Sequence, residues 1–183
     1  MARNDVCPAK LAWGLDNIFR KWLQNPAKLL GNLVKEKMTV LDVGCGPGFF
    51  SIEMAKMVGK SSKVIAADLQ EEMLEKLAHK IQDKEAQSII KLHKCEENKI
   101  GVLEKVDFAL AFYMVHEVPD PKNFFEELHS IIKSGGKLLV IEPKFHVSKK
   151  DFGIAMEIAK AAGFIPVNTV KVFYSRAAEL QNM

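Results

Sequence analysis

The chain has 183 residues, 48% of them hydrophobic, which is enough for one globular domain with a full buried core across residues 1–183. Its 26 Lys and Arg against 23 Asp and Glu give a formal net charge of +3, so nothing in the composition calls for a polyanionic partner, and we expect no nucleic acid ligand. The cysteines, Cys7, Cys45 and Cys95, are odd in number and far apart, and no run approaches ~18 uninterrupted apolar residues, so we expect a cytoplasmic chain without a disulfide framework or a membrane partner.

Two helices are predicted ahead of the first strand, within residues 1–37. The first has an apolar stripe at helical spacing, made of Leu15, Ile18, Phe19, Trp22 and Leu23. The second starts with Asn25 as its N-cap and Pro26 as its first helical residue, and it continues through Leu30, Leu33 and Val34. The aromatic stripe is compatible with two roles, packing in the core or covering a substrate site.

A strand, a glycine turn and a helix follow between residues 39 and 58. Residues 39–43 are mostly β-branched and aliphatic, which is typical of a strand buried on both faces. Glycines then occupy positions 44, 46 and 48, and an apolar helical pattern begins at Phe50. This arrangement places backbone N–H groups and a helix N-terminus against a ligand, and glycine is needed because a Cβ would block the close approach.

The run from Val40 to Gly48, V-L-D-V-G-C-G-P-G, resembles the class I S-adenosylmethionine-dependent methyltransferases. A dinucleotide-binding turn would read G-x-G-x-x-G, whereas position 49 is Phe and an acid, Asp42, precedes the first glycine. A carboxylate at that point repels a pyrophosphate but suits a cationic amino group. The resemblance implies that the methionine part of S-adenosyl-L-methionine, and of the product S-adenosyl-L-homocysteine, contacts Asp42, Gly44, Cys45, Gly46, Pro47 and Gly48.

Strand and helix patterns alternate through the rest of the chain. Strands are predicted at residues 63–68, 88–93, 106–113 and 137–141, and a terminal strand pair is predicted within 164–180. Between them lie helices around residues 73–81 and 148–163, and one that starts at Asp120-Pro121 and stops at Gly135-Gly136. The pattern predicts an α/β fold with a doubly wound, mostly parallel Rossmann-like sheet, seven-stranded by the resemblance, with helices on both faces.

The cofactor's adenosine end is assigned to the tips of the second and third strands. Asp68 ends the second strand, 20 residues after Gly48, where a carboxylate can accept both ribose hydroxyls; its alternative role is a helix cap. Leu69 would then lie against adenine. The resemblance implies that the loop after the third strand meets the adenine amino group, and we assign this contact to Glu96 with main-chain help from Cys95.

The segment from residue 111 to 120 resembles the family's small-molecule, UbiE-like branch. Phe112 and Tyr113 could flank the sulfonium, since an aromatic face attracts a cation. His116 is the candidate general base because its unperturbed pKa is near 6.5, although a packing or capping role fits it equally well. Glu142, at the end of the fifth strand, is a further candidate for contact with the substrate.

The sequence therefore predicts an S-adenosylmethionine-dependent methyltransferase that acts on a small-molecule acceptor. No metal site is expected, because His93-x-Cys95 lacks a second ligand pair at a useful spacing. Two alternatives stay open: a protein that binds the cofactor without turnover, and an NAD-dependent oxidoreductase on a similar sheet. The acceptor and the oligomeric state are not encoded in any pattern that we can read.

Overall fold

The computed structural model describes residues 25–168 and 170–183, so the predicted helix with Trp22 lies outside the described residues. The first described helix, α1, spans Pro26–Leu30, and Asn25 caps it by accepting a hydrogen bond from the Lys28 amide at 3.2 Å. The predicted continuation through Leu33 and Val34 is wrong, because the helix ends before Gly31. Both residues are nevertheless buried, so their apolar spacing reflects packing rather than helix.

Seven strands form one sheet in the order β3-β2-β1-β4-β5-β7-β6, which confirms the predicted fold class. Neighbours pair in parallel except β7, which runs antiparallel to both β5 and β6. The strands are β1 Thr39–Val43, β2 Lys63–Asp68, β3 Ile90–Lys94, β4 Val106–Phe112, β5 Ile132–Pro143, β6 Phe164–Asn168 and β7 Ser175–Asn182.

Helices cover both faces of the sheet. They are α2 Phe49–Val58, α3 Glu71–Ile81, α4 Ala86–Ile89, α5 Pro121–Ile131 and α6 Lys149–Ala161, with a 3-10 turn at Val115–Glu117. One apolar cluster packs α1 to α4 against the sheet, and the other packs α5 and α6 against the opposite face. Successive residues of β1, Val40 and Leu41, belong to different clusters, as expected for a strand buried on both sides. No helix within 25–168 or 170–183 is long and apolar enough to cross a bilayer.

Two further predicted boundaries are wrong. Ser88 and Ile89 belong to the short helix α4, so β3 starts only at Ile90. The glycine pair does not stop α5, which ends at Ile131, because β5 begins at once and bulges between the paired positions Ile132 and Lys137. A Cβ on Gly136 would lie 2.7 Å from the Ile132 side chain and 2.9 Å from the Asp107 carbonyl oxygen, so the glycine serves close packing in the bulge.

Candidate cofactor-binding and active site

A cavity of about 450 Å³ opens at the carboxyl ends of β1 to β4, where parallel α/β sheets bind ligands. Its walls come from the glycine turn, the tip of β2, the loop after β3, the tip of β4 and the first turns of α5. Eleven of the predicted site residues line it: Asp42, Gly44, Cys45, Gly46, Pro47, Asp68, Leu69, Cys95, Glu96, Phe112 and Tyr113. Gly48 and His116 do not line this cavity.

The glycine turn is held open by backbone hydrogen bonds. Gly44 and Cys45 donate their amide hydrogens to the Ala67 carbonyl at 2.8 and 3.0 Å, which ties the turn to β2. Gly44 and Gly46 have φ of 68° and 53°, a left-handed conformation that glycine adopts without steric cost. A Cβ on Gly46 would meet no protein atom within 4 Å, so the backbone here faces open space that a ligand can approach.

Gly48 is required by packing rather than by the cavity. Its φ is 83°, and a Cβ there would lie 2.2 Å from the Leu77 Cδ1 atom. Leu77 is the fully buried residue of α3 that presses against the start of α2. The third glycine of the motif therefore lets two helices approach each other.

Asp42 is a buried carboxylate at the cavity wall. It is 2% exposed, and the Ser51 hydroxyl donates a 2.5 Å hydrogen bond to its Oδ2. Burial raises its pKa to about 7; the Ser51 hydrogen bond lowers it and the charge of Asp68 raises it further. Among the described residues, the groups acting on Asp42 include no cation. A ligand ammonium at this point would supply the missing charge, so the residue suits the amino group of a bound amino acid.

Asp68 is preorganised by two amide donors. The Gly46 amide donates to its Oδ2 and the Gln70 amide to its Oδ1, both at 2.8 Å. Burial raises its pKa, an effect opposed by these same hydrogen bonds. Each carboxylate oxygen can accept more than one hydrogen bond, so both remain able to bind ribose hydroxyls. Asp68 is not the helix cap, because the N-cap of α3 is Gln70; the bond to the Gln70 amide orders the turn that leads into the helix.

The loop after β3 continues the wall from Asp68. The Cys95 amide donates to the Asp68 carbonyl at 2.9 Å, and Glu96 and Lys99 exchange two backbone hydrogen bonds. Burial raises the pKa of the Cys95 thiol to about 12, with further contributions from the charges of Asp68 and Glu127. Burial also raises the pKa of Cys45 well above its usual value. Both thiols are therefore protonated at neutral pH and act as apolar wall atoms.

Two stacked aromatic rings close the side of the cavity at β4. The Phe112 and Tyr113 ring centroids are 4.1 Å apart with planes 24° from parallel. Tyr113 has a φ of 57°, a conformation that costs a non-glycine residue about 1–2 kcal/mol. The strand neighbour Ile141 accepts its amide hydrogen at 2.8 Å, and its hydroxyl pairs with the Ser175 hydroxyl at 2.5 Å. These bonds hold the strained residue in place at the cavity.

His116 lies in the 3-10 turn beside the tip of β5. Its Nδ1 bonds to the Glu142 carboxylate, which also accepts the Val115 amide hydrogen at 2.8 Å. Burial lowers the pKa of His116, but the hydrogen bond and charge of Glu142, with the charge of Glu117, raise it above its usual value overall. A carboxylate on Nδ1 selects the tautomer with a free lone pair on Nε2, the form of a general base. Glu142, 2% exposed, holds His116 and does not line the cavity.

Sequence reasoning missed several wall residues on α5. Asp120, Asn123 and Glu127 line the cavity, one helical turn apart along the same face. Asp120 is the predicted cap, and its side chain accepts the Asn123 amide hydrogen at 3.1 Å. The capping signal could have placed this helix end at the cavity, but no local sequence pattern indicates that Glu127 belongs to the cavity wall.

The chain is similar in sequence to proteins of known family. Residues 34–169 match a methyltransferase domain family. A demethylmenaquinone methyltransferase of Oceanobacillus iheyensis is 30% identical over 129 residues, 67% of this chain and 51% of that protein. The Bacillus subtilis demethylmenaquinone methyltransferase is 28% identical over 123 residues, 67% of this chain and 52% of that protein. The chain thus spans about half the length of these curated relatives.

The crystal structure of a SAM-dependent methyltransferase from Aquifex aeolicus matches over nearly the whole chain. It is 31% identical, with a TM-score of 0.86, and the match covers 97% of this chain and 100% of that one. The similarity therefore includes both the glycine-turn half and the β5–β7 half of the sheet.

Proposed function

This chain belongs to the class I S-adenosylmethionine-dependent methyltransferase family, and we propose that it transfers a methyl group from S-adenosyl-L-methionine to a small-molecule acceptor. The observation that carries the proposal is the buried Asp42 carboxylate beside an open glycine turn, with Asp68 at the neighbouring strand tip. This pair suits a ligand with a cationic amino group at one end and a ribose at the other.

In the proposed complex, Asp42 and the turn from Gly44 to Pro47 hold the methionine end, and Asp68 holds the ribose. The cofactor, when bound, supplies an electrophilic methyl group carried on a sulfonium. Phe112 and Tyr113 would face that cation, where an aromatic ring contributes about 0.5–2 kcal/mol. The chain's main task is then to align the acceptor about 3–3.5 Å from the methyl carbon and to exclude water.

His116 is the proposed general base for an acceptor that carries a hydroxyl. Its Nε2 would take the hydroxyl proton as the acceptor gains the methyl group, and the carboxylate of Glu142 would stabilise the imidazolium that forms. The centroids of the His116 and His146 rings are 4.7 Å apart. His116 follows the tip of β4, at the same edge of the sheet as the cofactor cavity, which supports an acceptor bound at that edge beside the transferable methyl group.

For the acceptor class we propose an apolar aromatic compound with an ionisable hydroxyl, such as a quinol. The names of the two curated relatives support this class, because both are demethylmenaquinone methyltransferases. Exposed aromatic side chains at the same sheet edge also support it: Phe145, Phe173 and Tyr174 are each more than half exposed. The Lys144 amide donates to the Tyr174 carbonyl at 3.0 Å, which brings the two segments together.

The cytoplasm is the proposed location. The free thiols Cys45 and Cys95 in the cavity wall favour it, because that compartment keeps thiols reduced.

The test is a transfer assay with radiolabelled methyl donor and a panel of acceptors: quinols, simple phenols, amines and a tRNA mixture. We expect label in a hydroxylated aromatic compound and none in the tRNA. Label in the nucleic acid would contradict the acceptor class. Tight binding of S-adenosyl-L-homocysteine without transfer to any acceptor would favour the alternative of a cofactor-binding protein without turnover.

A further inference from the structure

The loop between β3 and β4 forms one wall of the cavity, although residues 95–105 belong to no helix or strand. Residues 95–100 all line the cavity. Ordering a loop costs about 1–2 kcal/mol per residue in backbone entropy. If the loop became ordered only when the ligand bound, that cost would weaken the ligand's affinity. The wall is therefore useful for binding only if something else in the structure fixes its shape.

Two side chains on one face of α5 hold this loop. The Glu127 carboxylate accepts the Ile100 amide hydrogen at 2.8 Å with Oε2 and the Gly101 amide hydrogen at 2.7 Å with Oε1. One turn earlier, the Asn123 Nδ2 donates to the Asn98 carbonyl at 2.8 Å. Both side chains also line the cavity.

A third side chain secures the loop from the sheet. The ring Nε2 of His93 bonds to the Ile100 carbonyl at 2.7 Å, which gives this residue a structural role. Ile100 is 5% exposed and packs in the core cluster of α5 and α6, so the loop's far end is anchored independently of Glu127. Loss of the Glu127 contacts would loosen the wall without detaching the loop.

We propose that Glu127, assisted by Asn123, is a positioning residue that shapes the wall for the adenosine end of the cofactor. The inference rests on the proposed function. The sheet order β3-β2-β1 assigns the ends of the ligand, because Asp42 stands on β1, Asp68 on β2 and this loop follows β3. A glutamine cannot replace Glu127, since two backbone donors need two acceptor oxygens and an amide offers only one, with an NH₂ facing the other donor.

The test compares two probes on the full chain: S-adenosyl-L-homocysteine and 5′-methylthioadenosine, which keeps the adenosine but lacks the amino acid end. We expect Glu127→Gln to weaken both by the same factor, about tenfold, as for loss of one charge-assisted hydrogen bond. The KM for S-adenosyl-L-methionine should rise in parallel while kcat stays within about twofold, because the reacting end is untouched. Asp42→Asn should instead weaken only S-adenosyl-L-homocysteine.

Glu126→Gln is the matched control, since Glu126 is the exposed neighbour whose carboxylate lies 3.7 Å from Lys122. Both probes should bind this variant as they bind wild type. Hydrogen exchange gives a direct readout: the Ile100 and Gly101 amides should exchange at least about tenfold faster in Glu127→Gln, and those of Gly44 and Cys45 should not change.

Affinities of Glu127→Gln within twofold of wild type for both probes would overturn the inference, as would a loss confined to S-adenosyl-L-homocysteine. If this variant does not fold, the same test is made with Asn123→Ala, whose affinity for both probes should fall by about threefold. Unchanged affinities in that variant would overturn the inference as well. If the wild-type chain bound neither probe, the proposed function itself would be contradicted.

Discussion

The two halves of the candidate site are built from different kinds of contact. On the β1–β2 side, backbone amides make most of the positioning contacts: those of Gly44 and Cys45 bind the Ala67 carbonyl, and that of Gly46 binds Asp68. On the β4–β5–β7 side, pairs of side chains do it: His116 with Glu142, 26 residues apart, and Tyr113 with Ser175, 62 residues apart. The first half therefore depends on backbone conformation, and the second on tertiary contacts between distant residues.

The largest expected effect is on turnover, and it should leave cofactor binding on the β1–β2 side unchanged. Replacing His116 with glutamine should lower kcat by about 100- to 1000-fold, because a positioned base contributes that much to proton transfer. The affinity for S-adenosyl-L-homocysteine, measured by calorimetry, should stay within about twofold, since His116 does not line the cofactor cavity.

His129→Gln is the control, because that ring packs against Phe164, away from the cavity. A His116 variant with full kcat on the acceptor identified in the transfer assay would show that this residue is only a packing residue.

The second expected effect tests the backbone half. Gly48→Ala should destabilise the chain by about 2–4 kcal/mol, through the strain of a left-handed alanine and the overlap with Leu77. Gly46 has a φ of 53° and no atom within 4 Å of the new Cβ, so Gly46→Ala should cost only about 1–2 kcal/mol. Urea unfolding of both variants measures the difference, and equal costs would contradict a packing role for Gly48.

The third prediction concerns Asp42 and pH. A pKa of about 7 means that the carboxylate available to an ammonium disappears as the pH falls below 7. The affinity for S-adenosyl-L-homocysteine should therefore fall by nearly tenfold per pH unit between pH 6 and 5, by our estimate of about one proton taken up. In Asp42→Asn the affinity should be weaker by about 10- to 100-fold and nearly independent of pH.

The same residue has the opposite effect on stability of the ligand-free chain. Its pKa is raised from 3.8 to about 7 in the folded state, so its favourable contribution is complete below the unfolded value and is lost as the pH rises through 7. We expect Asp42→Asn to be more stable than wild type in urea at pH 8, and to lose that advantage at pH 5. A less stable variant at pH 8 would mean that the carboxylate already has a cationic partner.

The smallest expected effect tests the contact between the side chains of Glu142 and His116. Glu142→Gln removes a charge that raises the pKa of His116, so the acidic limb of the kcat profile should move to lower pH by about one unit. Glu117→Gln, which removes the more distant carboxylate 3.8 Å from the ring, should move it less. A profile that moves to higher pH in Glu142→Gln would contradict the assigned contact.

What could be predicted from sequence follows the same division. The glycine turn, Asp42 and Asp68 were predictable because a special backbone conformation demands particular residue types at fixed spacing. The contact of Glu142 with His116 and that of Glu127 with Ile100 were not, because nothing local to either carboxylate indicates its partner. The Gly135-Gly136 pair was assigned the wrong task, and the packing of Gly48 against Leu77 was not predicted, since a glycine pattern does not say whether a ligand, a neighbouring helix or a bulge needs the space.

The most direct test of the account is a pair of titrations of the wild-type chain at pH 8. Calorimetry with S-adenosyl-L-homocysteine should show one site per chain with a Kd in the micromolar range, as expected of about −8 kcal/mol for a ligand held at both ends. Fluorescence titration with NADH should show no binding, because Asp42 repels a pyrophosphate at the glycine turn. Saturable NADH binding without heat from S-adenosyl-L-homocysteine would contradict the assignment of the turn to an adenosyl sulfonium.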